Sequence, residues 1–394
     1  MSIEPVDDER RLRIAVLGDI DGVHTRSWLR WFVERGHDVH AISYYTPRAQ
    51  LEGVRMHVLR PGGAGGGGAG AGWLAGRVPR GVLRLAHGLR YRRAGVARAV
   101  REIAPDVLHG HFVVEHGFYG LMAGFRPYVV TAWGSDVLVE PRRDPVSKRI
   151  AAYTLRHADA VTSNNAYMAE RMIELGADRA KTHVIVLGAD RYFLEASPRS
   201  VNVREGDPAR APAIISTRAH EPLYNIGEVI DAYGRVVRLQ PAARLVLAHG
   251  GSLTSGLQRQ ASGAGGRVEF YGFLDRAAFR EALSDAEVFV SVPSSDGTSV
   301  ALLQAMAAGC FPIVSDLPTQ REWVEDGVNG FRVPPHRPDL LADRIGRALG
   351  DPALRRDGAE RNRAIVEARG LNENEMMRME AVYLRLREAS RSRC

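Results

Sequence analysis

The sequence predicts a parallel α/β protein built in two halves. Three observations carry that reading. The chain has 394 residues, more than one core of ordinary size organises. Short runs of β-branched and aliphatic residues alternate with helix-forming stretches. A polar, proline-bearing stretch at 196–212 separates two such series. The domains are accordingly drawn at 1–195 and 213–370, with 196–212 as a linker and 371–394 as a closing helix that packs back on the first domain.

The first series opens with the apolar run Arg13–Leu17, of strand length, which ends in the turn Gly18-Asp19. A helix from about Thr25 to Arg35 follows, stopped by Gly36, and Asp38–Ser43 is the second strand, completing a β–α–β unit. Pro61–Gly72 holds eight glycines in twelve residues. No strand runs into it and no helix is built on it, so it reads as a surface loop rather than a phosphate cradle. Val82–Ile103 reads as an arginine-rich helix, either a solvated face or a surface for an anionic membrane or an acceptor. Further strands are expected at Val107–His109, Tyr128–Thr131, Ala160–Thr162 and His183–Val186. The second series comprises Ala213–Ser216, Arg244–Ala248, Arg267–Phe270, Glu287–Ser291 and Phe311–Ser315. The closing helix, Asn372–Arg387, draws an apolar side from Met376, Met377, Met379, Val382, Leu384 and Leu386.

Composition narrows the function classes. Hydrophobic residues make up 45% and charged ones 25%, ordinary usage for a folded chain. The net charge is 53 − 46 = +7, and every basic residue but Lys148 and Lys181 is arginine. Such an imbalance fits GC-rich coding and says little more than a general preference for anions. Two cysteines, Cys310 and Cys394, supply neither a disulfide framework nor a four-thiolate zinc site. The acidic start lacks the apolar core of a secretory signal, and no apolar run reaches the roughly 20 residues of a membrane helix. The expectation is a cytoplasmic protein, monomer or homodimer, with peripheral contact at the inner face of a membrane as the reading that the arginine-rich helix adds. Gly18-Asp-Ile-Asp-Gly22 is not the G-x-G-x-x-G of a dehydrogenase, and no G-x-x-x-x-G-K-[ST] triphosphatase loop occurs. Nucleic acid is not expected as a partner, since no reader motif or aromatic platform accompanies the arginines.

The stretch Val290–Gly309 is the most informative. A strand ends near Pro293, a loop of small residues turns through Gly297, and a helix starts near Thr298 or Ser299. Unpaired backbone N–H groups and the helix dipole there suit a diphosphate. Asp296 and Gln304, eight residues apart, can both reach one elongated ligand across the helix start. Equally, Asp296 can cap the helix and Gln304 can be a surface residue.

This stretch resembles the signature of family-4 glycosyltransferases, in which two acidic residues eight positions apart flank such a turn before an Ala-Met-Ala-x-Gly run. The resemblance runs from about Arg11 to Gly346. Val23–Trp31 with Arg35–Val39 is similar to the family's opening, Pro105–His111 to its histidine motif, Trp133–Val137 to its cleft loop, and Leu187–Asp190 to the turn closing the first domain. Gly272, Leu317–Trp323 and Gly327–Gly330 fit further positions.

The resemblance implies the GT-B fold, two Rossmann-like parallel-sheet domains facing a cleft, and a retaining, metal-independent transfer from a nucleotide diphosphate sugar, with a UDP-sugar expected first and a GDP-sugar second. That donor is a co-substrate, and no cofactor is implied. Arg218 would neutralise phosphate charge, Asp296 would bind donor-sugar hydroxyls, and Gln304 would face the ribose. The backbone of Gly297, Thr298 and Ser299 would hold the diphosphate, and Gly250, Gly251, Tyr271 and Gly272 would surround the base. On the first domain His111 would touch the sugar or acceptor, and Asp136 would be the acid or base. Gly22, His24, Trp133, Gly134 and Ser135 would line the side of a hydroxyl- or amine-bearing acceptor from envelope glycan, glycolipid or specialised-metabolite synthesis. The pair His109-x-His111 would need further ligands to bind a metal. Two departures stand out. The family's second acid is Gln304 here, and no lysine follows Arg218, so either His220 or another arginine fills its place or the helix terminus carries more of the charge. They motivate one alternative, a sugar-nucleotide-binding partner protein that has lost catalysis; the other alternative is a different GT-B enzyme, an epimerase or phosphorylase.

Overall fold

A computed structural model describes residues 5–59, 80–195 and 211–392, with the backbone alone for 80–90. The glycine-rich segment 61–72 and residues 196–210 of the expected linker lie outside the described residues. The chain forms two compact units, Met1–Ile185 with Met376–Cys394, and Val186–Glu375.

The first unit is built on a seven-stranded sheet, all parallel: β1 (Arg13–Leu17), β2 (Asp38–Ser43), β3 (Val54–Val58), β4 (Val107–His111), β5 (Tyr128–Thr131), β6 (Ala160–Ser163) and β7 (Thr182–Val184). Its spatial order is β3-β2-β1-β4-β5-β6-β7. Residues of β1, β4, β5 and β6 are almost continuously buried, as expected of strands covered by helices on both faces. The edge strand β3 alternates Arg55 and His57 with Val54, Met56 and Val58 and is only partly buried. The last strand starts one residue and ends two residues earlier than the His183–Val186 that the sequence suggested.

Residues 376–394 belong to this unit, through the helix Asn372–Arg391. Its buried side is Met376, Met379, Val382, Tyr383 and Leu384, whereas Met377 is exposed. Tyr383 is a polar hub in the core: its hydroxyl lies 3.2 Å from Trp28 Nε1 and 2.5 Å from His109 Nδ1. Indole N–H can only donate, so the hydroxyl accepts from Trp28 and gives its own proton to Nδ1. The His109 proton then sits on Nε2, donated to Thr131 Oγ1 at 2.7 Å. Burial pushes the His109 pKa down to about 3, in keeping with a neutral ring whose two nitrogens are both occupied.

The second unit carries a six-stranded parallel sheet: β8 (Ala213–Ser216), β9 (Arg244–Ala248), β10 (Arg267–Gly272), β11 (Val288–Ser291), β12 (Phe311–Ser315) and β13 (Phe331–Val333). The order is β10-β9-β8-β11-β12-β13. Its core joins Ile214, Leu245, Val288 and Ile313 from the sheet to Ile230, Tyr233, Ile345 and Leu349 from covering helices.

Candidate active site

In both sheets the winding direction reverses at the centre, between β1 and β4 in one unit and between β8 and β11 in the other. Loops leaving the carboxyl ends of such a pair turn to opposite faces and open a crevice, the usual ligand position of parallel α/β sheets. Most of the candidate residues gather at or beside these two places.

In the second unit, β8 ends at Ser216 and Arg218 follows it. From β11 the chain runs to Ser299, which N-caps the helix Val300–Ala307 by accepting from Leu302 N at 3.3 Å. Arg218 spans the crevice. Its Nη1 donates to Ser299 Oγ at 2.5 Å, its Nη2 to Asp296 Oδ2 at 2.8 Å, and its guanidinium lies 4.4 Å from the Tyr224 ring centre. Asp296 is therefore an ion-pair partner and not the helix cap. Burial pushes its pKa above the ordinary carboxylate value, while Arg218 and the Gly297 N–H pull it back.

The turn after Asp296 is held from behind. Its carbonyl accepts from Thr319 Oγ1 at 3.0 Å, that of Gly297 from Gln320 Nε2 at 3.3 Å, and Thr298 Oγ1 from Trp323 Nε1 at 3.3 Å. In a trans peptide the next N–H points opposite to the carbonyl, so the Gly297 and Thr298 N–H groups are directed away from Thr319 and Gln320. The first of them reaches the Asp296 carboxylate. A fixed guanidinium, two oriented peptide N–H groups and a helix start thus share one edge, suited to an anion. Gln304, half-buried, stands on the second turn of the helix.

The Gly250-Gly251 loop is laced to the segment after Arg218. His220 N donates to Gly250 O at 3.1 Å, and Leu253 N donates to His220 O at 2.9 Å. A Cβ on Gly251 would stand 2.5 Å from His220 O, so no other residue fits without moving the loop. His220 does not supply the missing cation. Thr254 Oγ1 donates to Gly251 O at 2.9 Å, so the His220 Nδ1 that lies 2.9 Å from that hydroxyl is the donor. The ring is 1% exposed, lies against Phe270, and has its pKa lowered by burial and by His249. It is neutral near pH 7. Gly272 has φ +67° and bridges to His249. Tyr271 is not brought to the cluster: its hydroxyl donates to Glu269 at 2.8 Å and lies 3.5 Å from Arg244, at the opposite, amino end of β9.

In the first unit, Gly22 precedes the helix Val23–Glu34, and His24 on its first turn stacks on Trp133, with ring centres 5.0 Å apart and planes at 13°. His111, at the end of β4, lies edge-on to Trp133 and Trp28, each at 5.3 Å. Its Nδ1 is 3.1 Å from Thr25 Oγ1, while Nε2 is buried without a hydrogen-bond partner. Burial, helped by His109, holds its pKa well below the ordinary histidine value. Asp136 is placed differently from expectation. Its carboxylate is fully buried and accepts from the N–H groups of Val113 (2.8 Å), Gly134 (2.9 Å) and Trp133 (3.1 Å). It holds the Trp133-Gly134 turn to the loop after β4 and presents no oxygen to solvent. Ser135 is exposed beside it. Among the described residues no three His, Cys, Asp or Glu side chains gather as a metal set.

Tyr224, which stacks on Arg218, and Thr319, Gln320 and Trp323, which hold the turn, were not foreseen as site residues. Each had a sequence signal: Tyr224 is an aromatic shortly after the strand-end arginine, and the other three lie in the family-like stretch Leu317–Trp323.

Residues 203–365 match the family described as Glycosyl transferases group 1, and residues 13–165 match Glycosyl transferase 4-like. The phosphatidyl-myo-inositol mannosyltransferase of Mycobacterium leprae is 31% identical over 324 residues, covering 72% of this chain and 86% of that protein. The chain belongs to the family-4 glycosyltransferases. The protein of the same name from Mycobacterium tuberculosis is also 31% identical, over 158 residues that cover 38% of this chain and 41% of that one. The chain thus matches about two-fifths of that relative's length. Among solved structures, HepE of Anabaena in complex with UDP superposes with a TM-score of 0.71 at 18% identity, covering 94% of this chain and 99% of that one. The fold of this family-4 member is the GT-B fold, two Rossmann-like parallel-sheet domains.

Proposed function

We propose that this chain is a retaining glycosyltransferase that moves a sugar from a UDP-sugar to a hydroxyl or amine of an acceptor. The observation that carries the reading is the Arg218 guanidinium, fixed by Asp296, Ser299 and Tyr224 beside the N–H groups of the Gly297-Thr298 turn. Breaking the anomeric C–O bond leaves negative charge on the departing diphosphate and positive charge on the sugar. Arg218 and the start of the helix Val300–Ala307 stabilise the first of these charges, and losing one such donor typically costs about 3–4 kcal/mol. An incoming diphosphate takes the open N–H positions of Arg218 while the bonds to Asp296 and Ser299 keep the fork in place. Gln304 contacts the ribose as donor and acceptor without charge.

On the first unit, His111 Nε2 is the polar group for a sugar or acceptor hydroxyl, and the His24–Trp133 stack supplies an apolar wall. Because Asp136 is enclosed, its part is to position Trp133. The proposal includes no metal. A phosphatidyl-myo-inositol mannosyltransferase among the relatives supports a polyol acceptor, and UDP bound to HepE supports the nucleotide. The test is release of UDP from UDP-sugars with purified protein and a panel of polyol and aminocyclitol acceptors. Acceptor-dependent UDP release with a matching glycosylated product is expected. UDP release unaffected by every acceptor, or conversion of the UDP-sugar without UDP release, would overturn the reading.

A further inference from the structure

Beyond the transfer reaction, the first unit carries a surface that nothing in that chemistry uses. The Trp133–Asp136 turn leads into the short helix Glu140–Arg143 and then the helix Pro145–His157. From 140 to 157 the chain holds five basic side chains, Arg142, Arg143, Lys148, Arg149 and Arg156, and two acids, Glu140 and Asp144. Asp144 is engaged as the helix N-cap, accepting from Ser147 N at 2.7 Å, and Glu140 feels the charge of Arg143. All five cations are exposed, and none has an ion-pair partner among the described residues. The helix Pro352–Arg369 of the second unit differs: its arginines are interleaved with Asp357, Glu360 and Glu367.

Apolar groups lie among the charges. Val146 is 59% exposed and Tyr153 44% exposed. With Arg149 and Arg156 they recur at intervals of three and four residues, which places them along one stripe of the helix. The opposite side buries Ala151, Thr154 and Leu155. Unpaired cations flanking an aliphatic and an aromatic side chain match an interface of anionic headgroups over acyl chains, where the phenol ring sits at headgroup depth and basic side chains reach phosphates. Nucleic acid fits less well: His157 at 4.3 Å and Phe118 at 6.3 Å pack against Tyr153, and no reader motif accompanies these rings.

We propose that the face Arg142–Arg156 docks the protein on an anionic phospholipid surface. The sequence raised such a contact for Val82–Ile103, whose side chains up to residue 90 lie outside the described residues; the present proposal rests on Arg142–Arg156. The proposal does not depend on the identity of donor or acceptor. No helix among the described residues is long and apolar enough to cross a membrane, so this contact is peripheral.

The experiment is co-sedimentation of the full chain with vesicles of phosphatidylcholine alone or with one-third phosphatidylglycerol, comparing wild type with Lys148→Gln/Arg149→Gln/Arg156→Gln and with Tyr153→Ser. Binding to the anionic vesicles only is expected. Each basic residue near such a surface contributes about fivefold, so the triple variant should bind roughly 100-fold more weakly. Raising the salt to 0.5 M should release the wild type. UDP binding, measured on the same samples, should be unchanged in both variants and reports separately on the transferase reading. No binding of wild type to anionic vesicles, equal binding to neutral ones, or anionic binding that survives in the triple variant would overturn the proposal, as would binding to duplex DNA as tight as to the vesicles.

Discussion

Replacing Arg218 by alanine separates the two things this side chain does. The guanidinium is 9% exposed, bonds to a carboxylate and a hydroxyl, and lies against an aromatic ring. Removing it leaves the Asp296 carboxylate without its cation in a largely buried place. Breaking a buried pair from one side costs about 3–5 kcal/mol, and the 17% exposure of the Asp296 side chain puts the expectation at the low end, near 3 kcal/mol. For a unit of this size, that lowers the melting temperature by roughly 6–12 °C. Asp296 has a raised pKa in the fold, so its protonated form is favoured there and its ionisation opposes stability as pH rises. Losing Arg218 raises that pKa further, which makes the deficit larger at pH 8 than at pH 5. In an Asp296→Asn background no carboxylate is left stranded, and Arg218→Ala should cost only about 1 kcal/mol. Urea melts of the four proteins at the two pH values give all of these terms. Equal costs of Arg218→Ala in both backgrounds, or a deficit that shrinks with pH, would refute the view that the pair is a coupled, largely buried unit.

Three other outcomes follow from the same kind of accounting. Tyr383→Phe leaves Trp28 Nε1–H and His109 Nδ1 without a partner in the core, and should destabilise the first unit by about 1–3 kcal/mol, seen as a lower urea midpoint by tryptophan fluorescence. His109 has a folded pKa of about 3, below its ordinary value of 6.5, so its contribution is whole above pH 6.5 and is lost as pH falls towards 3. Wild type should lose about 1.4 kcal/mol per pH unit more than His109→Gln across that window, and parallel pH profiles would contradict it. Gly251→Ala forces a Cβ to within 2.5 Å of His220 O and should weaken UDP binding by displacing the loop, with far-UV circular dichroism unchanged. Wild-type affinity in that variant would show that the loop does not border the nucleotide.

The sheets were legible because their central strands are buried on both faces: runs such as Ile14–Leu17 and Val288–Val290 show as unbroken apolar segments. Two strands were not. Val54–Val58 lies at an edge and interleaves Arg55 and His57, and Phe331–Val333 is only three residues long. At the site, the sequence pointed to the helix start and to Arg218 but not to their pairing, since Arg218 and Asp296 stand 78 residues apart and meet only because β8 and β11 are neighbours. The same holds for Tyr383, which reaches His109 across 274 residues. Asp136 was read as an acid or base through the resemblance of Trp133–Val137 to the family's cleft loop. Three backbone N–H groups converging on it are a property of the folded turn. His220 stood near enough to Arg218 in sequence to suggest a second cation, but its ring turns towards Phe270 and Thr254.

The central claim is that Arg218 and the Gly297–Ser299 helix start form the diphosphate site of a nucleotide-sugar donor. Thermal unfolding with UDP, GDP, ADP, UMP and uridine, in wild type and in Arg218→Lys, tests it most directly, because lysine keeps the charge and loses the fork. A ligand at 100 times its dissociation constant adds about 2.7 kcal/mol. The account predicts a clear upward shift with UDP, a smaller one with UMP, little with uridine, and loss of most of the UDP shift in the variant. A UDP shift that survives Arg218→Lys in full, or equal shifts with UDP and uridine, would contradict it.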